Sequence, residues 1–406
     1  MKFDCTQVFV CEVCGSKNLH KVIDLGDHPM CDDLVPIGQN KKNIVYPISI
    51  VFCTQCNTAH QQYQIPKKTL FPTTYHYRSR LTADVLSGMN ELVESVESKV
   101  GMLSGLTVLD IGCNDGSLLD KFAEKGANTI GVEPTGAHSD ALGRQHYILN
   151  EFFGQATASK IKDLYPRVDI ITFTNVFAHI ENLPGLLTAL SSLMHEHTVL
   201  VIENHYLGAV LKRNQFDTFY HEHPRTYSVK SFVHIAQSLG KNLAFIEFPK
   251  RYGGNVRVFI GNTQFSTQRS LETIQNAIKL ESSFLNDFDI MKGFVDEWKV
   301  AKAKEIRSLV AQFGPLAAKA FPGRAAILLT LLGLSKNEIK CVYEKPGSPK
   351  IGHYVPATKI PILSDEDLFS RLDETNIIIN LAWHIPTEIK DYLYANGYHG
   401  QIVEIV

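Results

Sequence analysis

Two Cys-x2-Cys pairs, Cys11/Cys14 and Cys53/Cys56, bracket a spacer of 38 residues near the start of the chain. Each pair can bite a metal ion from a tight turn, and two bites complete a closed, tetrahedral, structural zinc site. Gly15 and Asn57, each following a pair, suit such knuckles. A zinc ribbon has a spacer of roughly 15–20 residues, so a longer β excursion is expected here. The alternative is four unrelated buried thiols. Redox use is disfavoured because no βαβ pattern surrounds either pair. Cys5, Cys31, His28 and His60 are spare candidate ligands.

The 406 residues suffice for two or three domains with full cores. Hydrophobic residues make up 44% and charged residues 20%, as in an ordinary globular protein. A net charge of -2 supplies no basic field, which excludes nucleic acid and anionic membranes as expected partners. No apolar run reaches the ~18 residues of a membrane span. The opening MKFDCTQVFVCEVC lacks a secretory pattern, so a cytoplasmic setting with reduced thiols is expected for the eight cysteines.

Three regions follow one another. Residues 1–74 form a β-rich zinc-binding domain. Residues 75–262 alternate strands and helices, with strands in LTVLDIG, NTIGVEP, VDIITFTNVFAHI, HTVLVIENHY and GNVRVFIG, which implies a parallel sheet with covered faces. Residues 263–406 begin with one or two connecting helices over 266–313. A smaller Rossmann-like α/β unit follows, with strands expected in AAILLTLL, IKCVYE, NIIINLAW and QIVEIV.

LDIGCNDG sets Asp110, Gly112, Asn114 and Gly116 at alternate positions where a strand hands over to a helix. A nucleotide approaches closely only where side chains are absent, hence the glycines. The Gly-x-Gly-x-x-Gly spacing of NAD enzymes is missing. Asp-x-Gly-x-Asn-x-Gly instead resembles motif I of class I S-adenosylmethionine methyltransferases, with Asn114 in place of the middle glycine. Glu133 closes the next strand and is placed to take the two ribose hydroxyls. Asp115, Pro134, Asn175 and Val176 complete the expected cofactor set, with Tyr77 and Ser79 from the junction with the first domain. The alternative for this loop is a plain strand-to-helix turn.

Taken in order, CEVCG, CTQCN, YHYRS, LDIGCNDGSLL, NVFAHI, FDTFYHEH, YGGNVRVF and YVPATKIPI with INLAWHIPTEI resemble the nucleotide-sugar C-methyltransferases over nearly the whole chain. These enzymes act on 4-keto-6-deoxy sugars, and they include the C-3 methyltransferase of tetronitrose biosynthesis. The resemblance implies a zinc domain, a central class I methyltransferase domain and a C-terminal domain that contacts the substrate's nucleotide. It also implies a monomer. One departure is FPGRAAILLTLLG, where the family has a glycine-rich, lysine-containing turn; Arg324 is the nearest cation.

C-methylation needs a base beside the sugar carbon and a donor beside the ketone oxygen. The resemblance implies His223 as the base, flanked by Tyr220 and Glu222, with His179 as a second histidine across the cleft. A helical turn would put Tyr220 and His223 on one face; a strand would pair His221 with His223. Tyr220, His221, Asn255, Arg257 and Lys350 are the candidate substrate contacts. The competing readings of the YHEH block are a His221-x-His223 metal site completed by Glu222 or His205, and a structural polar turn. For the whole chain the alternatives are an O- or N-methyltransferase and a zinc-stapled binding module with a vestigial cofactor site.

Overall fold

A computed structural model describes residues 5–71, 78–81 and 83–406 of the chain. The long β excursion expected between the cysteine pairs is present. Leu19–Pro29 pairs antiparallel with Val45–Cys53, from Leu19 opposite Cys53 to Pro29 opposite Val45. Thr58–Gln61 adds a third strand. A two-residue strand from far along the chain, Arg225–Thr226, closes the four-stranded sheet at its edge.

The central sheet has seven strands in the spatial order Asn242–Glu247, Asn255–Gly261, Val199–His205, Ile170–Thr174, Thr107–Ile111, Asn128–Val132, Tyr147–Leu149. Five strands run parallel, as their helical connections require. Asn255–Gly261 runs antiparallel to both of its neighbours, which corrects the all-parallel expectation. It follows Asn242–Glu247 after a short loop, and a connection that short returns a strand antiparallel. Gly253 and Gly254 in this loop have φ of 83° and 123°. A Cβ there would lie 1.8 Å from Gln215 Nε2 and 2.5 Å from Ala209 Cβ, respectively. These glycines therefore admit a close approach; the sheet's irregularity lies at Leu243/Phe245 instead.

Two helices, Gln268–Leu280 and Phe284–Phe313, lead to a five-stranded parallel sheet ordered Ile362–Ser364, Ile339–Glu344, Leu316–Lys319, Ile377–Asn380, Gln401–Glu404. One expected strand is a helix: AAILLTLL folds as Ala325–Leu331. A short apolar run carries no period, and five of this helix's residues are buried, so the run reads equally well either way. The strand of that position is Leu316–Lys319. Among the described residues no helix is long and apolar enough to cross a membrane.

The first sheet is glued to the rest by its two faces. Val22, Ile23, Ile48, Ile50 and Phe52 share a core with Phe284, Phe288 and the C-terminal sheet. Cys11, Cys53 and Cys56 share one with the central sheet. Phe288 is fully buried, its ring 5.3 Å from that of Phe52 and 6.0 Å from that of Phe219. Phe288→Ala would empty a junction between all three units. The expected loss is about 3–5 kcal/mol, read as a lower Tm in calorimetry.

Candidate active site

The four cysteine sulfurs lie within 4.8 Å of one another. Cys11 and Cys56 sulfurs are 3.4 Å apart, those of Cys14 and Cys53 3.5 Å. A tetrahedral zinc with Zn–S of about 2.3 Å spaces its thiolates by roughly 3.8 Å, so the set fits one ion. Gly15 and Asn57 take the left-handed backbone, at φ 75° and 57°, and their amides close the knuckles onto the Cys11 and Cys53 carbonyls. A second layer stands behind the sulfurs. His60 Nε2 is 3.3 Å from Cys11 Sγ, and Thr58 Oγ1 is 3.0 Å from Cys56 Sγ. Among the described residues this is the one group placed to hold a metal.

A cavity of about 720 Å³ opens at the carboxyl ends of the central strands. Gly112, Asn114, Glu133, Pro134, Asn175, Val176 and Ser79 line it. Gly112 is required: at φ 77° a Cβ would meet both Val176 methyls at 2.6 Å. Asn114 stands in for glycine because asparagine tolerates φ 50°. Its amide donates to Glu133 Oε2 at 3.0 Å, which ties the loop to the acid at the next strand's tip. Ser79 N donates to Asn114 Oδ1, and Arg80 N to Asp115 Oδ2, so the 78–80 segment is strapped across the loop.

Not every expected cofactor residue reaches the cavity. Asp110 lies beneath it and accepts Thr172 Oγ1 at 2.7 Å; burial and then the Glu133 charge push its carboxyl up to about 7. Asp115 is spent on Ser117 and Arg80, and Gly116 packs against Ala141. These three shape the loop instead of lining the space. Tyr77 lies outside the described residues.

Tyr220, Glu222 and His223 line the same cavity from the opposite side. A turn closes the block, with His223 N donating to Tyr220 O at 2.9 Å. The helical alternative therefore holds: the Tyr220 and His223 rings are 4.1 Å apart. His221 faces the other way, its Nε2 donating to Tyr46 O at 3.0 Å, which removes both the His221-x-His223 metal site and His221 as a substrate contact. His223 Nδ1 must carry its proton, because it donates to Thr218 O at 3.2 Å; Nε2 keeps the basic lone pair. His179 is arranged likewise, donating from Nδ1 to Glu222 O at 2.6 Å. Burial, reinforced by His179 and His205, holds His223 well below the usual imidazole range. Burial raises the Tyr220 phenol well above its ordinary value, so it stays a hydrogen-bond donor.

Asn255 and Arg257 were expected at the substrate and are elsewhere. Both are buried against Glu203, with Asn255 Nδ2 at 3.1 Å and Arg257 Nε at 2.8 Å from its carboxylate. A charge in a central strand needs buried partners, and these residues supply them. Lys350 does reach the cavity, donating to Phe321 O at 2.8 Å.

His205 and Arg324, weighed in the sequence only as a metal ligand and as a stand-in cation, also line the cavity, as does His384, which was passed over. Arg324 pairs with Asp217 at 3.3 Å and donates to Thr218 Oγ1 at 3.1 Å. The available signal was position, since His205 ends a central strand and His384 follows Ile377–Asn380, both at carboxyl ends.

Three family models match the chain in succession: a zinc binding domain over 11–71, a methyltransferase domain over 76–244, and a C-methyltransferase C-terminal domain over 250–403. The C-methyltransferase NovU of Streptomyces niveus is 24% identical over 389 residues, covering 94% of this chain and 91% of that protein. A ubiquinone biosynthesis O-methyltransferase of Rhodopseudomonas palustris is 30% identical over 114 residues, 28% of this chain and 42% of that protein. The magnesium protoporphyrin IX methyltransferase of Synechocystis PCC 6803 overlaps 49% of this chain and 99% of that one, at 17% identity and a TM-score of 0.35. Fold and glycine loop define a class I S-adenosylmethionine-dependent methyltransferase. With its zinc and C-terminal domains in this order, the chain is similar to the C-methyltransferases along nearly its whole length.

Two outcomes follow. Cys53→Ser should lose the zinc that the native chain retains, as read by atomic emission on the purified protein. Burial also holds His205 and His384 near 3 and His221 near 4, below their unfolded values of about 6.5. The unfolded chain therefore binds more protons below pH 6.5, so stability is full above that value and falls as pH drops toward 4. Urea midpoints measured across this range should decline steadily with acid.

Proposed function

We propose that the chain methylates the carbon next to the ketone, C-3, of a nucleotide-linked 4-keto-6-deoxy sugar, by way of an enolate. The observation that carries this is one cavity shared by the glycine loop and a neutral, buried His223 whose Nε2 is unprotonated. S-Adenosylmethionine, when bound by Gly112, Asn114, Glu133, Pro134, Asn175 and Val176, supplies an electrophilic methyl group.

The chain's own residues generate the nucleophile, which is the enolate carbon of the sugar itself. His223 Nε2 takes the proton from the sugar carbon, and the electron pair left behind moves onto the ketone oxygen. Tyr220, kept protonated by burial, donates to that oxygen and stabilises the charge as it grows. Glu222 binds a sugar hydroxyl, and His179 holds the Glu222 backbone in place. Arg324 and Lys350 stand on the C-terminal side of the cavity, where a diphosphate would be met by two cations. Segments 1–74, 75–262 and 263–406 thus act as zinc, cofactor and nucleotide-sugar units around one space. Because one chain closes the cavity, the reading needs no second copy. A cytoplasmic setting, where the four knuckle thiols stay reduced, suits it.

The test is mass spectrometry of the protein with S-adenosylmethionine and a panel of thymidine-, guanosine- and cytidine-linked 4-keto-6-deoxy sugars, in deuterated water. The expected product is heavier by one methyl group on carbon, and His223→Ala should lower its rate roughly 10²–10⁴-fold. Activity should persist below pH 6.5, because His223 stays in its basic form there. A methyl group on oxygen or nitrogen, made equally well by His223→Ala, would overturn the reading.

A further inference from the structure

The Tyr220–His223 turn runs directly into Arg225–Thr226, the strand that completes the N-terminal sheet. Arg225 stands opposite His60 in that pairing and is 0% exposed. A guanidinium so placed carries a large desolvation cost unless every donor is met. Its Nη1 reaches Glu12 Oε2 at 2.5 Å, Nε donates to the Tyr227 hydroxyl at 3.0 Å, and Nη2 to Glu181 O at 3.5 Å. Glu12 lies inside the first knuckle, between Cys11 and Cys14, and its Oε2 is also 3.5 Å from His60 Nδ1.

The turn has more ties to the same sheet. Gln61 Nε2 donates to Tyr220 O at 3.2 Å and Gln61 N to Pro224 O at 2.9 Å, while His221 Nε2 donates to Tyr46 O. The glycine loop and Glu133 take no part in these bonds. The glycine-loop wall of the cavity therefore rests on the central sheet, whereas the end of the Tyr220–His223 turn is tied to the knuckle sheet.

We propose that Arg225 is a positioning residue: through Glu12 it ties the Tyr220–His223 turn to the Cys11–Cys14 knuckle, so that the assembled four-cysteine cluster sets where the base stands. This rests on the reading of His223 as the base, and it is tested without substrate. The full, metal-loaded chain is labelled with carbon-13 in its histidine rings, and the His223 signal is assigned by its disappearance in His223→Gln. In the native protein that ring should stay neutral well below pH 6.5.

Glu12→Gln is nearly isosteric, and Arg225→Lys keeps the charge while losing the fork. Both leave His179, His205 and Arg324 around the ring in place. In both, the His223 titration should move up toward about 6.5 as water reaches the loosened turn. Metal content and S-adenosylhomocysteine binding, by calorimetry, should stay within about twofold. Once a substrate is in hand, kcat should drop roughly 10–100-fold with KM little changed. An unmoved His223 titration in both variants with metal retained would overturn the proposal. So would loss of metal and S-adenosylhomocysteine binding together, which would make the pair a general fold element. A failed sugar panel leaves the ring titration untouched, so the two ideas fail separately.

Discussion

The burial of one short stretch, Phe216 to His223, is the condition on which the site depends. No single unit of the chain could desolvate it. The C-terminal unit grips its start, where Arg324 and Trp383 Nε1 both reach Asp217 Oδ2. The N-terminal sheet grips its end through Tyr46 and Gln61, and Phe288 packs beneath it against Phe219. The central sheet supplies His179 and His205 from above two of its strand tips. Imidazoles enclosed this way are held neutral at ordinary pH, because a charged ring would face low dielectric and other rings at once.

How legible this was in the sequence depended on whether the deciding physics was local. The glycine loop is local: a strand, a left-handed turn and a helix start within ten residues, and LDIGCNDG declares all three. The knuckles are local too. AAILLTLL failed because burial on every side erases the period that separates helix from strand. The antiparallel Asn255–Gly261 failed because the clue was a short connection and not a residue pattern.

Arg257 and Asn255 show the limit at the level of the site. In a strand such as NVRVFIG a polar residue reads as a ligand contact. What decides its role is Glu203, some fifty positions earlier and two residues from the end of the adjacent strand. That carboxylate is fully buried and needs Arg251, Asn255 and Arg257 around it. Register brings them together, with Glu203 opposite Arg257. No spacing rule within either strand encodes that pairing. The network still serves the site at one remove, since Asn255 Nδ2 also donates to Asn175 Oδ1 at 3.3 Å and so steadies a cavity wall.

The same geometry separates metal chemistry from proton chemistry within one chain. Two histidines flanking a glutamate form a chelate only if both rings point one way. The turn sends His221 to the Tyr46 carbonyl and His223 into the cavity, and the protons that His223 and His179 donate to carbonyls occupy their Nδ1 atoms. What remains at the cavity are neutral imidazoles beside a protonated phenol, with carboxylates held on either side. Such a set suits removal of a weakly acidic C–H proton, because the base is uncharged before the reaction and the donor is already in place. The metal-binding capacity sits instead in four thiols on the far face of the sheet that carries the turn. There a closed shell can stiffen the backbone without entering the cavity.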